Sequence, residues 1–260
     1  LNIQKISTNS YLDTPVITDE GMFPLILFSH GLGGMRNQNL IQIEFLVSRG
    51  YIVVAPNHAY DANITIFSDG TIADFKSGSE NIKTEEQFWE FRLPQLQTRT
   101  EDINFIIERI MHLFDNGENI WENIDINNIG IFGHSFGGST SIMVSSSNSQ
   151  IDALFLLDPW MVPIPQNIVD LGLDKPLISM GQPYWKNPLN IEKLNTFIEK
   201  STHQKNNIIL NGANHFDFSD TPHFTKLSKT LGVSGNLNST VLLDTINTTI
   251  INFFNKYLKN

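Results

Sequence analysis

Six short, dense apolar runs constrain this chain more than any other feature. They lie at residues 23–28, 51–55, 129–132, 153–157, 176–180 and 208–210, and each is rich in Ile, Leu, Val or Phe. A strand with one wet face alternates apolar with polar residues, whereas a strand covered on both faces does not, and none of these runs alternates strictly. Helix-like stretches stand between most of them. Residues 38–49 space Leu40, Ile43, Leu46 and Val47 along one face, and residues 96–114 do the same with Ile103, Ile106, Ile107, Ile110 and Met111. Residues 189–200 and 240–258 are similar but less cleanly periodic. Alternation of this kind predicts an α/β fold, a doubly wound and mostly parallel sheet with helices on both faces. At 260 residues, 40% of them apolar, one such sheet can bury its own core, so a single domain over 1–260 is expected.

The stretch at about 57–94 breaks the alternation. Residues 65–67 and 71–75 flank Asp69-Gly70, a strong hairpin-turn signal. The segment reads as an excursion from the sheet, either a rim of the functional site or a plain surface insertion. Composition excludes several classes of function. The chain has no Cys, so there is no thiol nucleophile, no Cys-ligated zinc and no disulfide, and its compartment stays open. Its net charge is −10 with no basic cluster, which argues against a nucleic-acid partner. No apolar run approaches the roughly 20 residues of a membrane span. No metal-ligand cluster or cofactor motif is evident.

The strongest local signal is Gly133-His134-Ser135-Phe136-Gly137, followed by Gly138. Gly-x-Ser-x-Gly is common by chance, but here a strand run enters it and a helix-like run, 139–144, leaves it. That strand–turn–helix elbow exposes a Ser Oγ at the edge of an α/β-hydrolase sheet, so Ser135 is the expected nucleophile. Acyl transfer also needs donors for the developing oxyanion. In such a fold one is the N–H after the nucleophile, here Phe136. The other comes from the loop after an earlier strand, and Ser29-His30-Gly31-Leu32-Gly33-Gly34 supplies it at Leu32. A dinucleotide-binding reading of the same glycines fails, because position 36 is Arg and no acidic residue ends the next strand run.

The fold requires the order Ser, acid, His. His203, His215 and His223 follow Ser135. His203 precedes the last strand run and so falls at the wrong end of the sheet, and His223 reads as surface. His215 lies just after that run, at a carboxyl strand end, and is the expected base. His30, His58, His112 and His134 read as structural or surface positions, with His30 and His58 at strand ends where they could shape a pocket. The loop after residues 176–180, a common place for the acid, carries no carboxylate. Asp158, which ends the preceding strand run before Pro159, is therefore the expected acid. Asp217 and Asp220 are its rivals by residue type. Phe136, Trp160, Met161, Tyr184 and Trp185 are expected either to line an apolar acyl pocket or to be ordinary core.

Taken together, residues 23–33 (ending Phe28-Ser29-His30-Gly31-Leu32-Gly33), Gly133 to Gly138, and Leu157-Asp158-Pro159-Trp160-Met161-Val162-Pro163 resemble the platelet-activating-factor acetylhydrolases, which are serine phospholipases A2. His215-Phe216-Asp217-Phe218-Ser219-Asp220 extends the resemblance more weakly. The resemblance implies the triad Ser135, Asp158 and His215, with oxyanion donors Leu32 and Phe136. It also implies calcium-independent cleavage of acetyl or short oxidised acyl groups from the sn-2 position of phospholipids. The implied partners are a small-molecule or lipid ester and, peripherally, lipid surfaces. The chain departs from the family's animal members in the 57–94 region. Two other readings stand beside this one: a general carboxylesterase or cutinase-like polyesterase, and a ligand-binding module of the same fold without turnover.

Overall fold

The computed structural model describes residues 8–17, 21–117, 123–224 and 227–259. All six apolar runs become strands of one parallel sheet. In chain order these are β1 (Phe23–Ser29), β2 (Ile52–Val54), β5 (Ile124–His134), β6 (Ala153–Leu157), β7 (Leu177–Gly181) and β8 (Lys205–Ile209). Between them, β3 (Ile64–Ile66) and β4 (Ile72–Asp74) form a separate antiparallel hairpin across the Asp69-Gly70 turn. The helices are α1 (Leu40–Val47), α2 (Glu85–Asp115), α3 (Phe136–Ser147), α4 (Gln166–Leu171), α5 (Leu189–Lys200), two single turns α6 (Thr221–Phe224) and α7 (Leu227–Thr230), and α8 (Ser239–Leu258).

Successive strand residues point to opposite faces, and here both faces are buried. Leu25 and Leu27 join a cluster with Ile103 and Ile107 of α2, Ile142 of α3 and Phe197 of α5. Ile26 and Phe28, one step along in each case, join another with Leu46 of α1 and Ile246, Ile250 and Phe254 of α8. This explains why the strands read as continuous apolar runs. It also establishes the doubly wound α/β-hydrolase architecture. No helix among the described residues is long and apolar enough to cross a membrane.

The sheet order is β2-β1-β5-β6-β7-β8. After β1 the chain steps outward to β2, and after β5 it steps the other way. The carboxyl ends of β1 and β5 therefore flank the point where the winding reverses, the usual place for a ligand in an open α/β sheet.

Two elements run longer than their sequence pattern suggests. Helix α2 begins at Glu85, well before residue 96, and carries Pro94 inside it. Its first turns mix exposed Glu85, Glu86 and Glu90 with Phe88, Trp89 and Phe91, so no clean apolar stripe stands out there. Pro94 also imitates a boundary. The overlooked start signal is the capping box, in which Thr84 accepts from Gln87 N–H and the Gln87 side chain accepts from Thr84 N–H. Strand β5 begins at Ile124 rather than 129, its polar first half joined to the apolar second half across a register shift opposite Pro24 and Leu25. The single turns α4, α6 and α7 are too short for any period to reveal.

Candidate active site

Strand β5 delivers Ser135 into a backbone conformation of φ 56° and ψ −119°, from which α3 departs at once. For a residue with a Cβ this is strained ground, and it persists only where the surroundings enforce it. Two glycines let them do so. A Cβ on Gly133 would lie 2.2 Å from the Gly137 carbonyl oxygen, and one on Gly137 would lie 1.9 Å from the Ser29 carbonyl oxygen. The first turn of α3 is thus packed against the end of β1 with no room for a methyl group. The Ser135 backbone is also tied to β6 and its following loop, donating to Leu157 O at 3.0 Å and accepting from Trp160 N at 2.9 Å.

Asp158 ends β6 and also has a positive φ, 43°. Its carboxylate is buried and meets four donors. His215 Nδ1 stands 2.6 Å from Oδ2, Gln182 Nε2 donates to Oδ2 at 2.8 Å, and Gln182 N and Trp185 Nε1 donate to Oδ1 at 3.0 and 3.1 Å. His215 comes from the loop after β8. Because Nδ1 faces the carboxylate, the neutral ring holds its proton there and leaves Nε2 unprotonated. The ring is held between His134, centroids 4.6 Å apart, and the edge of Trp185 at 4.9 Å. His134 Nε2 donates to the His215 carbonyl at 3.1 Å, and burial pushes the His134 imidazole well below its ordinary pKa, so it stays neutral. The Ser135 hydroxyl takes no hydrogen bond among the described residues. Such contacts often close only once substrate is bound.

The rival acids stand elsewhere. Asp217 Oδ2 accepts from Asn214 N at 2.8 Å and Gly235 N at 2.7 Å, so it braces the His215 loop through its backbone. Asp220 accepts from Ile41 N at the start of α1.

The Gly31 turn lies against the serine, since a Cβ on Gly31 would come 3.3 Å from Ser135 Cβ. Gly31 N donates to Gln38 Oε1 at 2.7 Å, and the Gly31 carbonyl accepts from Gly34 N at 2.9 Å. Among the described residues neither Leu32 N–H nor Phe136 N–H has an acceptor within the protein.

The expected pocket residues divide. Trp160 packs on Phe136 with centroids 5.3 Å apart, and Trp185 serves Asp158 and His215 directly. Met161 is fully buried in the α2/α3 core, so it forms no pocket wall, and Tyr184 is 71% exposed. A groove of about 560 Å³ instead runs beside the Gly31 turn, lined by Gly33, Gly34, Leu40, Phe216 and Phe224 among others. Neither that groove nor Gln182 has a local sequence motif to announce it. Among the described residues no cluster of His, Asp and Glu could hold a metal ion.

The profile of the family described as "Platelet-activating factor acetylhydrolase, isoform II" matches residues 2–260. This chain belongs to that family. Relatives named platelet-activating factor acetylhydrolase include those of Cavia porcellus, 30% identical over 95% of this chain and 60% of that protein, and of Canis lupus familiaris, 29% identical over 97% and 61%. The chain thus spans about 60% of the length of these curated relatives. Among solved structures, a ferulic acid esterase from Streptomyces cinnamoneus superposes with a TM-score of 0.75 at 23% identity, covering 92% of this chain and 68% of that one. A dienelactone hydrolase from Anabaena variabilis gives 0.56 at 16%, covering 92% and 88%. Both share the α/β-hydrolase fold that the acetylhydrolase family member adopts here.

Proposed function

We propose that the chain hydrolyses short-acyl carboxylic esters, with phospholipids bearing an acetyl or short oxidised sn-2 chain as its substrate class, as the resemblance noted in its sequence implies. The observation that carries this reading is the buried Asp158–His215 bond of 2.6 Å beside a serine held on a strained strand–helix elbow. In this mechanism Ser135 Oγ attacks the ester carbonyl while His215 Nε2 takes its proton. Asp158 holds the ring and steadies the imidazolium. The carbonyl oxygen, now anionic, accepts from the N–H groups of Leu32 and Phe136. Collapse returns the proton from His215 to the leaving alcohol, and water repeats the cycle on the acyl-enzyme. The groove beside Gly33 suits an apolar chain, and Phe216 and Phe224 give its rim exposed rings for a lipid to meet.

The test is turnover of p-nitrophenyl acetate with fluorophosphonate labelling, followed by kcat/KM for acetyl and palmitoyl sn-2 phosphatidylcholines below their aggregation limits. Turnover, labelling at Ser135 and a preference for acetyl are expected. An inert, unlabelled chain would sink the enzyme reading. Equal kcat/KM for the two lipids would sink the substrate class alone.

A further inference from the structure

A second buried polar cluster borders the Gly31 turn, and none of the roles above uses it. At its centre is Arg99, on α2, whose side chain is 1% exposed. Burying a guanidinium is costly unless its surroundings compensate, and the nearest carboxylate oxygen, Asp61 Oδ2, is 3.7 Å away. Arg99 Nη2 donates to the carbonyl of His30 and, at 3.3 Å, to Ser29 Oγ. Its Cζ stands 4.8 Å from the centroid of the Phe136 ring. One cation therefore touches both the strand end that leads into Leu32 and the ring of Phe136, the two residues proposed above as oxyanion donors.

The remaining bonds run in one direction. His58 Nδ1 lies 2.8 Å from Asp102 Oδ2, which places the proton on Nδ1 while Asp102 is charged. Burial pushes the His58 imidazole well below its ordinary pKa, so the ring is neutral and Nε2 accepts. Ser29 O–H then donates to Nε2 at 3.0 Å and is left to accept from Arg99. The His58 backbone N–H donates to His30 Nε2 at 3.1 Å, which puts the His30 proton on Nδ1, and that group donates to the Gly31 carbonyl at 2.7 Å. A trans peptide is planar, with its C=O and N–H pointing opposite ways. Pinning the Gly31 carbonyl therefore aims the Leu32 N–H.

We propose that Arg99, oriented by Ser29, His58 and Asp102, is a positioning residue that holds both walls of the oxyanion hole at their working spacing. This deepens the ester-hydrolase reading and rests on it. The two N–H groups matter most when the carbonyl oxygen carries full charge, so losing their alignment lowers kcat while leaving KM nearly unchanged.

The experiment measures kcat and KM on p-nitrophenyl acetate, and the Ki of a trifluoromethyl ketone, which forms a tetrahedral oxyanion adduct with an active serine. Wild type, Arg99→Met, Asp102→Ala and Asp102→Asn are compared, with near-UV circular dichroism as a fold control. Arg99→Met should lower kcat about 100-fold, hold KM within about threefold and raise Ki by about the same factor as the kcat loss. Asp102→Ala should cost about tenfold in kcat, and Asp102→Asn, which still accepts from His58, should restore it. A folded Arg99→Met with kcat within about threefold of wild type, or a kcat loss with Ki unchanged, overturns the proposal. If Arg99→Met does not fold, Asp102→Ala decides, and turnover within about twofold of wild type rejects the proposal. An inert wild type not labelled at Ser135 fails differently: it removes the ester-hydrolase reading and this proposal with it.

Discussion

In the cluster at Ser135 the acid is sealed and the base is open, with Asp158 at 2% exposure and His215 at 25%. In the cluster at Ser29 the order is reversed, with His58 at 1% and Asp102 at 41%. Both contain Ser, His and Asp, and both link the imidazole Nδ1 to a carboxylate within 2.8 Å. The difference lies in the backbone and in access. Ser29 is fully buried, its hydroxyl is committed to His58, and it is the last residue of a regular strand. Ser135 sits at a turn with positive φ, and no group among the described residues claims its hydroxyl. On the function proposed above, residue identity does not distinguish the reactive arrangement from the structural one. The strained elbow and the solvent access of the imidazole do.

The largest expected contrast is between the two serines. Ser135→Ala should lower kcat by about 10⁴–10⁶, whereas Ser29→Ala should cost only about tenfold, through drift of the Gly31 turn. Comparable losses in two folded variants would erase the distinction. The acids should separate less widely. Asp158→Asn permits the wrong His215 tautomer and should lower kcat about 10³–10⁴-fold, while Asp102→Asn stays within about threefold. An active Asp158→Asn variant would point to Asp217 as the partner of His215, and Asp217→Asn measured alongside would show it.

The smallest effect is on stability and concerns a further carboxylate, buried like Asp158. Asp158 has donors on both oxygens, but Asp220 Oδ1 has none among the described residues, and burial pushes the Asp220 carboxyl up to about 7. Its folded pKa thus exceeds the value of 3.8 for a free carboxyl. The folded chain then binds this proton more tightly than the unfolded one, so the contribution is full below about pH 4 and lost as pH rises through about 7. Asp220→Asn, which keeps an acceptor for Ile41 N, should match wild type near pH 4 and exceed it at pH 8, by a few kcal/mol at most. Chemical denaturation at the two pH values measures it, and equal gains at both would refute the charge argument.

The sequence carried the sheet because a strand covered on both faces leaves a local mark, as Leu25–Phe28 do. The proposal of Ser135 as nucleophile rests on an elbow that needs its glycines in series, and that of His215 as base on a chain order that leaves few choices. Asp158 could be named because the loop after β7 offers no acid. Arg99, Asp102 and Ser29 could not, and His58 was legible only as a strand-end histidine, since the four are scattered along the chain and meet only through tertiary packing. The same holds for Gln182, which reaches Asp158 from the neighbouring strand. The 57–94 segment turned out to be joined to the Gly31 turn, with Gly33 N donating to Asp61 O and Asn63 N to Gly34 O, both at 2.8 Å. Those are backbone bonds, which side-chain identity does not encode.

The β3–β4 hairpin has a consequence for how this molecule could be observed. Its base is coupled to the site, since Phe75, just past β4, lies against Gly33, where an added Cβ would meet the ring at 3.4 Å. Its tip is free, and a Cβ on Gly70 would meet nothing within 4 Å. The sequence contains no Cys, so Ser68→Cys would introduce its sole thiol, on an exposed residue of the tip. A maleimide fluorophore there would label one position without background. Its anisotropy would report in real time whether the Gly31 turn stiffens when an ester is added and loosens as the ester is consumed.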